Sequence, residues 1–160
     1  MSRSSAVVFL AAGLCLGCSS LSTERRVVLQ GSVETADADA DGVVFFSVHH
    51  AWLGEGLLRH PMALVDRMQG GAPGAFSLTV DVPTDEGGEG LVLYAWHDRD
   101  GDGVLCSVDG DRTERSGAVR VSDWPTYEAT VSLELEEPCA GPEIFVFPEL
   151  DQRRRGSNRR

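Results

Sequence analysis

Asp98, Asp100 and Asp102 stand two residues apart in the run Trp96-His97-Asp98-Arg99-Asp100-Gly101-Asp102-Gly103-Val104-Leu105-Cys106. Three carboxylates crowded into one turn repel each other unless a hard cation sits among them, and such cations draw oxygen ligands from alternating loop positions. With Asp98 as position 1, the acids fall at 1, 3 and 5 and Gly103 at 6. Glycine there bends the chain sharply enough to bring the Val104 carbonyl onto the same ion. Asp109 then stands at position 12, where such loops usually carry a bidentate glutamate. Asp109, or Asp111 in the same Val108-Asp109-Gly110-Asp111 turn, would close the shell by reaching back. The candidate ligand set for calcium, in a structural role, is therefore Asp98, Asp100, Asp102, Val104, Asp109 and Asp111. A competing reading keeps the same residues metal-free, as aspartates whose side chains cap backbone N–H groups in Asx-type turns.

The histidines offer other chemistry. His97 adjoins Asp98, and His49 and His50 end an apolar run, so a metal-dependent hydrolase using His97 and nearby carboxylates is the alternative function. Adjacent strand residues face opposite ways, which makes His49 and His50 a poor joint site and suggests one packed and one wet imidazole. The sequence holds no HExxH, no GxSxG, and no serine or cysteine nucleophile arranged with an identifiable base. The expected class is thus a non-enzyme. A formal charge of −11 over 160 residues, with no basic stripe in the body, argues against nucleic acid as a partner.

The amino end reads Arg3 followed by the apolar run Ala6 to Leu16, an export signal too short to anchor as a span. Leu14-Cys15-Leu16-Gly17-Cys18 resembles the lipobox of bacterial lipoproteins, in which Cys18 would become the lipidated first residue of the mature chain. Cys15 stands where such boxes usually carry leucine, so cleavage by an ordinary signal peptidase stays open. The resemblance implies a signal peptide over 1–17, several acyl chains (palmitate among them) holding Cys18 on the bilayer, and a polar tether over 18–25. With no aspartate after Cys18, it further implies the outer membrane, facing periplasm or exterior. Cys106 and Cys139 then remain in the folded part, and two thiols in an oxidising compartment suggest one disulfide. Unpaired buried thiols or metal ligation are the other possibilities.

The elements that must position these residues read as strands. Arg26–Val33, Val43–Val48, Pro61–Asp66 at an edge, Phe76–Val82, Leu91–His97, Ala118–Val121, Tyr127–Leu135 and Glu143–Phe147 are apolar runs of strand length or period two, separated by polar, glycine-rich turns such as 66–74 and 83–90. No amphipathic helix competes with them. The expected fold is all-β, an immunoglobulin-like or transthyretin-like antiparallel β-sandwich of seven or eight strands over 26–149. The tail 150–160 carries five arginines and, from Asp151 onward, no apolar residue, the composition of a disordered basic segment.

A strand ending in tryptophan followed by His-Asp-x-Asp-x-Asp-Gly, inside a small exported domain, resembles the transthyretin-like or carboxypeptidase-regulatory-like sandwich domains of bacterial lipoproteins. Leu93 to Cys106 carries most of the likeness, with support from Gln30–Phe46 and Ala75–Pro83. The resemblance implies a non-catalytic module for adhesion, stability or binding, with an envelope protein or other envelope component as partner.

Overall fold

The alternation in Phe76–Val82 turns directly into a strand with Leu78, Val80 and Val82 buried and Ser77, Thr79 and Asp81 exposed, as successive side chains of a pleated strand must be. This is β4 (Gly74–Pro83) of eight strands; the others are β1 (Glu24–Thr35), β2 (Val43–Ala51), β3 (Ala63–Gln69), β5 (Gly90–Asp98), β6 (Arg115–Arg120), β7 (Glu128–Leu135) and β8 (Glu137–Pro138). The computed structural model describes residues 24–36, 41–51, 63–84, 90–122, 124–145 and 147. The signal segment, Cys18, Pro61 and the arginine tail lie outside the described residues. No helix among the described residues is long and apolar enough to cross a membrane.

The fold is an all-β sandwich. One sheet has the order β4-β1-β7, the other β3-β2-β5-β6-β8. Every pairing is antiparallel except β1 with β7, which is parallel and sets Gly31 beside Val131. A Cβ on Gly31 would lie 1.7 Å from the Val131 carbonyl oxygen, so the close approach of β7 requires glycine there. Between the sheets, Val27, Leu29 and Val33 of β1 and Leu133 and Leu135 of β7 meet Val44, Phe46 and Val48 of β2 and Leu91, Leu93 and Ala95 of β5. Each large side chain so buried stabilises the fold by about 1.5–3 kcal/mol relative to exposure.

Because β5 is apolar on both faces, its outer face also needs a cover. That cover is the chain after β8. Tyr94 Oη and Ser116 Oγ both donate to the Ala140 carbonyl, at 2.8 and 2.6 Å, and the Phe145 ring meets Tyr94 edge-on at 5.9 Å. Phe147 packs with Ala51 and Val92 in a small cluster of its own.

Three expectations are corrected here. Glu143–Phe147 is not a strand, since Pro142–Ile144 forms a 3₁₀ turn. Pro142 lacks the N–H a ladder needs, and Phe145 and Phe147 gain burial by lying on the sheet rather than by pairing. Asp66–Gln69 belongs to β3 instead of a turn, because Arg67, Met68 and Gln69 find partners in Ser47, Phe46 and Phe45. β1 begins at Glu24, paired with Pro83, so the tether reading of residues 24 and 25 gives way to strand.

Candidate functional site

Asp98 closes β5 and is 3% exposed; its Oδ1 accepts the Gly101 N–H at 2.8 Å and its Oδ2 the Gly103 N–H at 3.0 Å. Gly101 and Gly103 have φ of 76° and 73°, the left-handed region that side chains disfavour, and these two bends wrap the loop around the carboxylate. Asp100 Oδ1 accepts the Asp102 N–H at 3.2 Å, and Asp102 Oδ1 accepts the Val104 N–H at 2.7 Å. The result brings one carboxylate oxygen from each of Asp98, Asp100 and Asp102 within 4.8 Å of one another. Gly110 of the following turn backs onto the cluster. A Cβ there would stand 2.4 Å from Asp100 Oδ2 and 2.9 Å from Asp102 Oδ2, so this position makes room for both acids.

The other predicted ligands are placed differently. The Asp111 N–H donates to Asp100 Oδ2, but its own carboxylate turns to Thr113, accepting from N at 2.7 Å and Oγ1 at 2.6 Å, with Arg99 Nη1 at 3.4 Å. The Thr113 hydrogen bonds, with Arg99 adding, hold that carboxyl below the usual range. Asp109 is exposed and lies outside the cluster. Val104 contributes its N–H to Asp102, with its side chain 54% exposed. Three of the six named residues are thus gathered, a fourth and a fifth brace them through N–H groups, and Asp109 does neither among the described contacts.

Glu114 is the residue that sequence reasoning missed. It is fully buried, its Oε1 accepts the Arg99 N–H at 3.2 Å, and its Oε2 accepts the Cys106 N–H at 2.6 Å, so one carboxylate clamps both ends of the aspartate loop. Burial pushes its carboxyl up, with Asp100 and Asp98 adding to the rise, while the two N–H donors act in the opposite direction. Within Arg112-Thr113-Glu114-Arg115 it reads as an ordinary surface charge, and only the return of the chain into β6 brings it under the loop.

Cys106 and Cys139 form the expected disulfide, 33 residues apart in sequence. Both sit at left-handed φ, 50° and 52°, an uncommon conformation for a residue with a side chain. The bridge ties the exit of the aspartate loop to the segment that covers the outer face of β5.

The described residues do not bring His97 together with His49 or His50. His97 points between the sheets, opposite Val44, and a Cβ on Gly42 would stand 2.6 Å from its Nε2. His50 faces the same core opposite Leu91, six residues back along β5, which is about 20 Å at strand rise. His49 lies on the other face, its Nε2 2.7 Å from Ser47 Oγ. Both His49 and His50 are buried, at 5% and 1% exposure, which corrects the packed-and-wet reading: each face of the sheet is covered at this end.

On the outer face, the half of the sheet not covered by the segment after β8 forms a groove of about 540 Å³. Its floor comes from β2, β3 and β5, and the exit of the aspartate loop supplies one wall.

Neither a family model nor a curated protein matches the chain significantly. Among solved structures, the sandwich is similar to one described as a "putative cell adhesion protein" from Bacteroides eggerthii DSM 20697. The identity is 15%, the TM-score is 0.43, and the alignment covers 69% of this chain and 40% of that one. The chain therefore spans less than half the length of that structure, and a likeness of this depth carries no argument about function.

Proposed function

We propose that the chain is an exported, non-catalytic envelope module of the transthyretin-like or carboxypeptidase-regulatory-like kind, lipid-anchored through Cys18, whose aspartate loop holds a structural calcium ion and whose exposed surface binds an envelope component. The observation that carries this reading is the gathering of Asp98, Asp100 and Asp102 oxygens within 4.8 Å at a loop clamped by Glu114 and by a disulfide. An all-oxygen donor set suits a hard cation of flexible coordination, and calcium takes 6–8 such ligands, so water or further oxygens would complete the shell. The room left by Gly110 beside Asp100 and Asp102 fits the same reading. A bound ion would neutralise three like charges and stabilise the loop, with no step of chemistry assigned to it. The separation of His97 from His49 and His50 supports a binding role over hydrolysis.

Calorimetric titration of the mature domain with calcium tests the cation. Heat on binding and a rise in melting temperature are expected, both lost on joint substitution of Asp98, Asp100 and Asp102 by asparagine. Absence of both effects in the wild-type chain rejects the cation. The anchor is tested separately by the mass of the amino-terminal peptide, where an unmodified residue after cleavage elsewhere than Gly17-Cys18 would reject lipidation.

A further inference from the structure

We propose that the arginine-rich segment Asp151–Arg160 folds back onto its own chain and lies in the seam between β6 and β7, where the two sheets meet edge to edge. The seam is a groove of about 340 Å³ whose lining includes Ser116, Gly117 and Val119 of β6, Glu134 of β7, and Glu136 and Glu137 just beyond it. It exists because one stretch of chain serves both sheets. β7 pairs with β1 as far as Leu135 and then crosses over, so only Glu137 and Pro138 pair with β6, opposite Ser116 and Arg115. Among the described residues, no strand pairs with β6 from Gly117 to Arg120 on the side away from β5. An edge left unpaired is a template for another length of extended chain, and folded proteins commonly cover it.

The charge of the seam selects a cationic occupant. Glu134, Glu136 and Glu137 are all exposed, and Glu34 of β1 stands in register with Glu134, so two carboxyl-bearing positions are held one strand spacing apart, about 4.8 Å. None of these four glutamates makes an ion pair among the described residues. Arg115 Nη1, at the same edge, donates to the Glu136 carbonyl at 2.6 Å. Like charges so placed repel, and a cationic segment laid beside them relieves the repulsion. The chain has few cations to offer. It contains no lysine, and of its 14 arginines five are Arg153, Arg154, Arg155, Arg159 and Arg160. Several others are engaged elsewhere: Arg26 with Asp81, Arg99 with Asp111, Arg112 with the Val108 carbonyl, and Arg25 over the Tyr127 ring at 4.9 Å.

The course of the chain delivers those arginines to the seam. Phe145 lines the groove, and the cluster in which Phe147 packs includes Ala118, which lines it too. Arg153 comes six residues after Phe147, a reach of about 20 Å at full extension, against about 7 Å along β6 from Ala118 to Ser116. The connection 148–152 is long enough to reverse direction, since hairpin loops of about 2–5 residues suffice. A tether this short sets an effective concentration of about millimolar, which favours the chain's own arginines over a dilute separate partner. The aspartate loop also draws cations, but it begins at the far end of β5, six residues from Val92 and about 20 Å away at strand rise. From Asp151 onward the segment has no apolar residue, so charge and not packing would hold it, and the contact is sensitive to salt.

The test is hydrogen exchange of the full mature chain, read by mass spectrometry over Arg115–Arg120 in dilute buffer and in about 1 M salt. Joint substitution Arg153→Gln, Arg154→Gln and Arg155→Gln should speed exchange there by roughly 10-fold in dilute buffer and leave it unchanged in salt, the size a few exposed ion pairs provide. Glu134→Arg, Glu136→Arg and Glu137→Arg together should give the same loss, and adding Arg153→Glu, Arg154→Glu and Arg155→Glu should restore the protection. Should the reversed set fail to fold, Glu134→Gln, Glu136→Gln and Glu137→Gln should still speed exchange over the same strand. The proposal is overturned if wild type and the tail variant exchange alike over β6, if the tail variant speeds exchange at Gly101–Val104 instead, or if the swapped charges do not restore protection. Protection that grows with protein concentration also overturns it, by assigning the contact to the tail of a second copy.

Discussion

The inward faces of β2 and β5 present Val44, Phe46, Val48, Leu91, Leu93 and Ala95, all 4% exposed or less, against the opposing sheet. The outward faces of the same two strands present Phe45, Ser47, His49, Tyr94 and Trp96, which are aromatic or polar; Ser47, His49 and Tyr94 are buried, and Phe45 and Trp96 are only partly covered. One strand pair thus has a side whose composition alone secures burial and a side whose burial depends on a distant segment held by one disulfide. The inner face is a matter of hydrophobic patterning. The outer face is a matter of tethering, and it is the face with room for a ligand.

The contrast can be broken by substitution. Leu93→Ala on the inner face removes a fully buried side chain and should cost about 3–4 kcal/mol in urea unfolding; Trp96→Ala on the outer face should cost less than half as much, and equal losses would erase the distinction. Reduction of the disulfide comes next, at about 3–4 kcal/mol from loop closure over 33 residues, measured by urea unfolding with and without reductant. Because the covering segment depends on the bridge, hydrogen exchange at Tyr94 and Ser116 should rise on reduction more than at Leu93.

Glu114→Ala should cost about 2–3 kcal/mol, since the Arg99 and Cys106 N–H groups lose their acceptor in a part-buried setting. Its pH dependence has a definite sign. Burial raises the Glu114 carboxyl above its ordinary 4.5, so the folded chain holds that proton more tightly than the unfolded chain. The resulting stability is fully present below 4.5 and is lost as pH rises through the folded value. Glu114→Gln should flatten the stability profile just above pH 4.5, measured in chelator so that no cation compensates. The smallest effect is Tyr94→Phe, about 1 kcal/mol for one hydrogen bond to Ala140. In the wild type, spectrophotometric titration should show a phenol pushed up to about 12 by burial.

The parts legible in the sequence were those whose signal is local. Period two marked β4, an apolar run of strand length marked β5, and the two-residue spacing of Asp98, Asp100 and Asp102 marked a loop that does gather them. The pairing of Cys106 with Cys139 followed from elimination of the cysteines near the amino end. What escaped was set by contacts between distant segments. The parallel seating of β7 on β1 depends on the missing side chain of Gly31, a cue indistinguishable from a turn glycine without its neighbour. Phe145 and Phe147 read as strand residues because burial on a sheet and burial within one select the same side chains. Glu114 carries no spacing relation to the acids it adjoins, and the groove joins residues from three strands and two connections.

Glu114 also bears on how the cysteines find each other. Its side chain takes the Cys106 N–H and its backbone carbonyl takes the Cys139 N–H at 2.9 Å, so one residue acts as a jig from which both cysteines hang. Once β6 has paired, each thiol experiences the other at an effective concentration of about millimolar or more, as for any two groups joined by a short link. Cross-linking then copies an arrangement the backbone has already made.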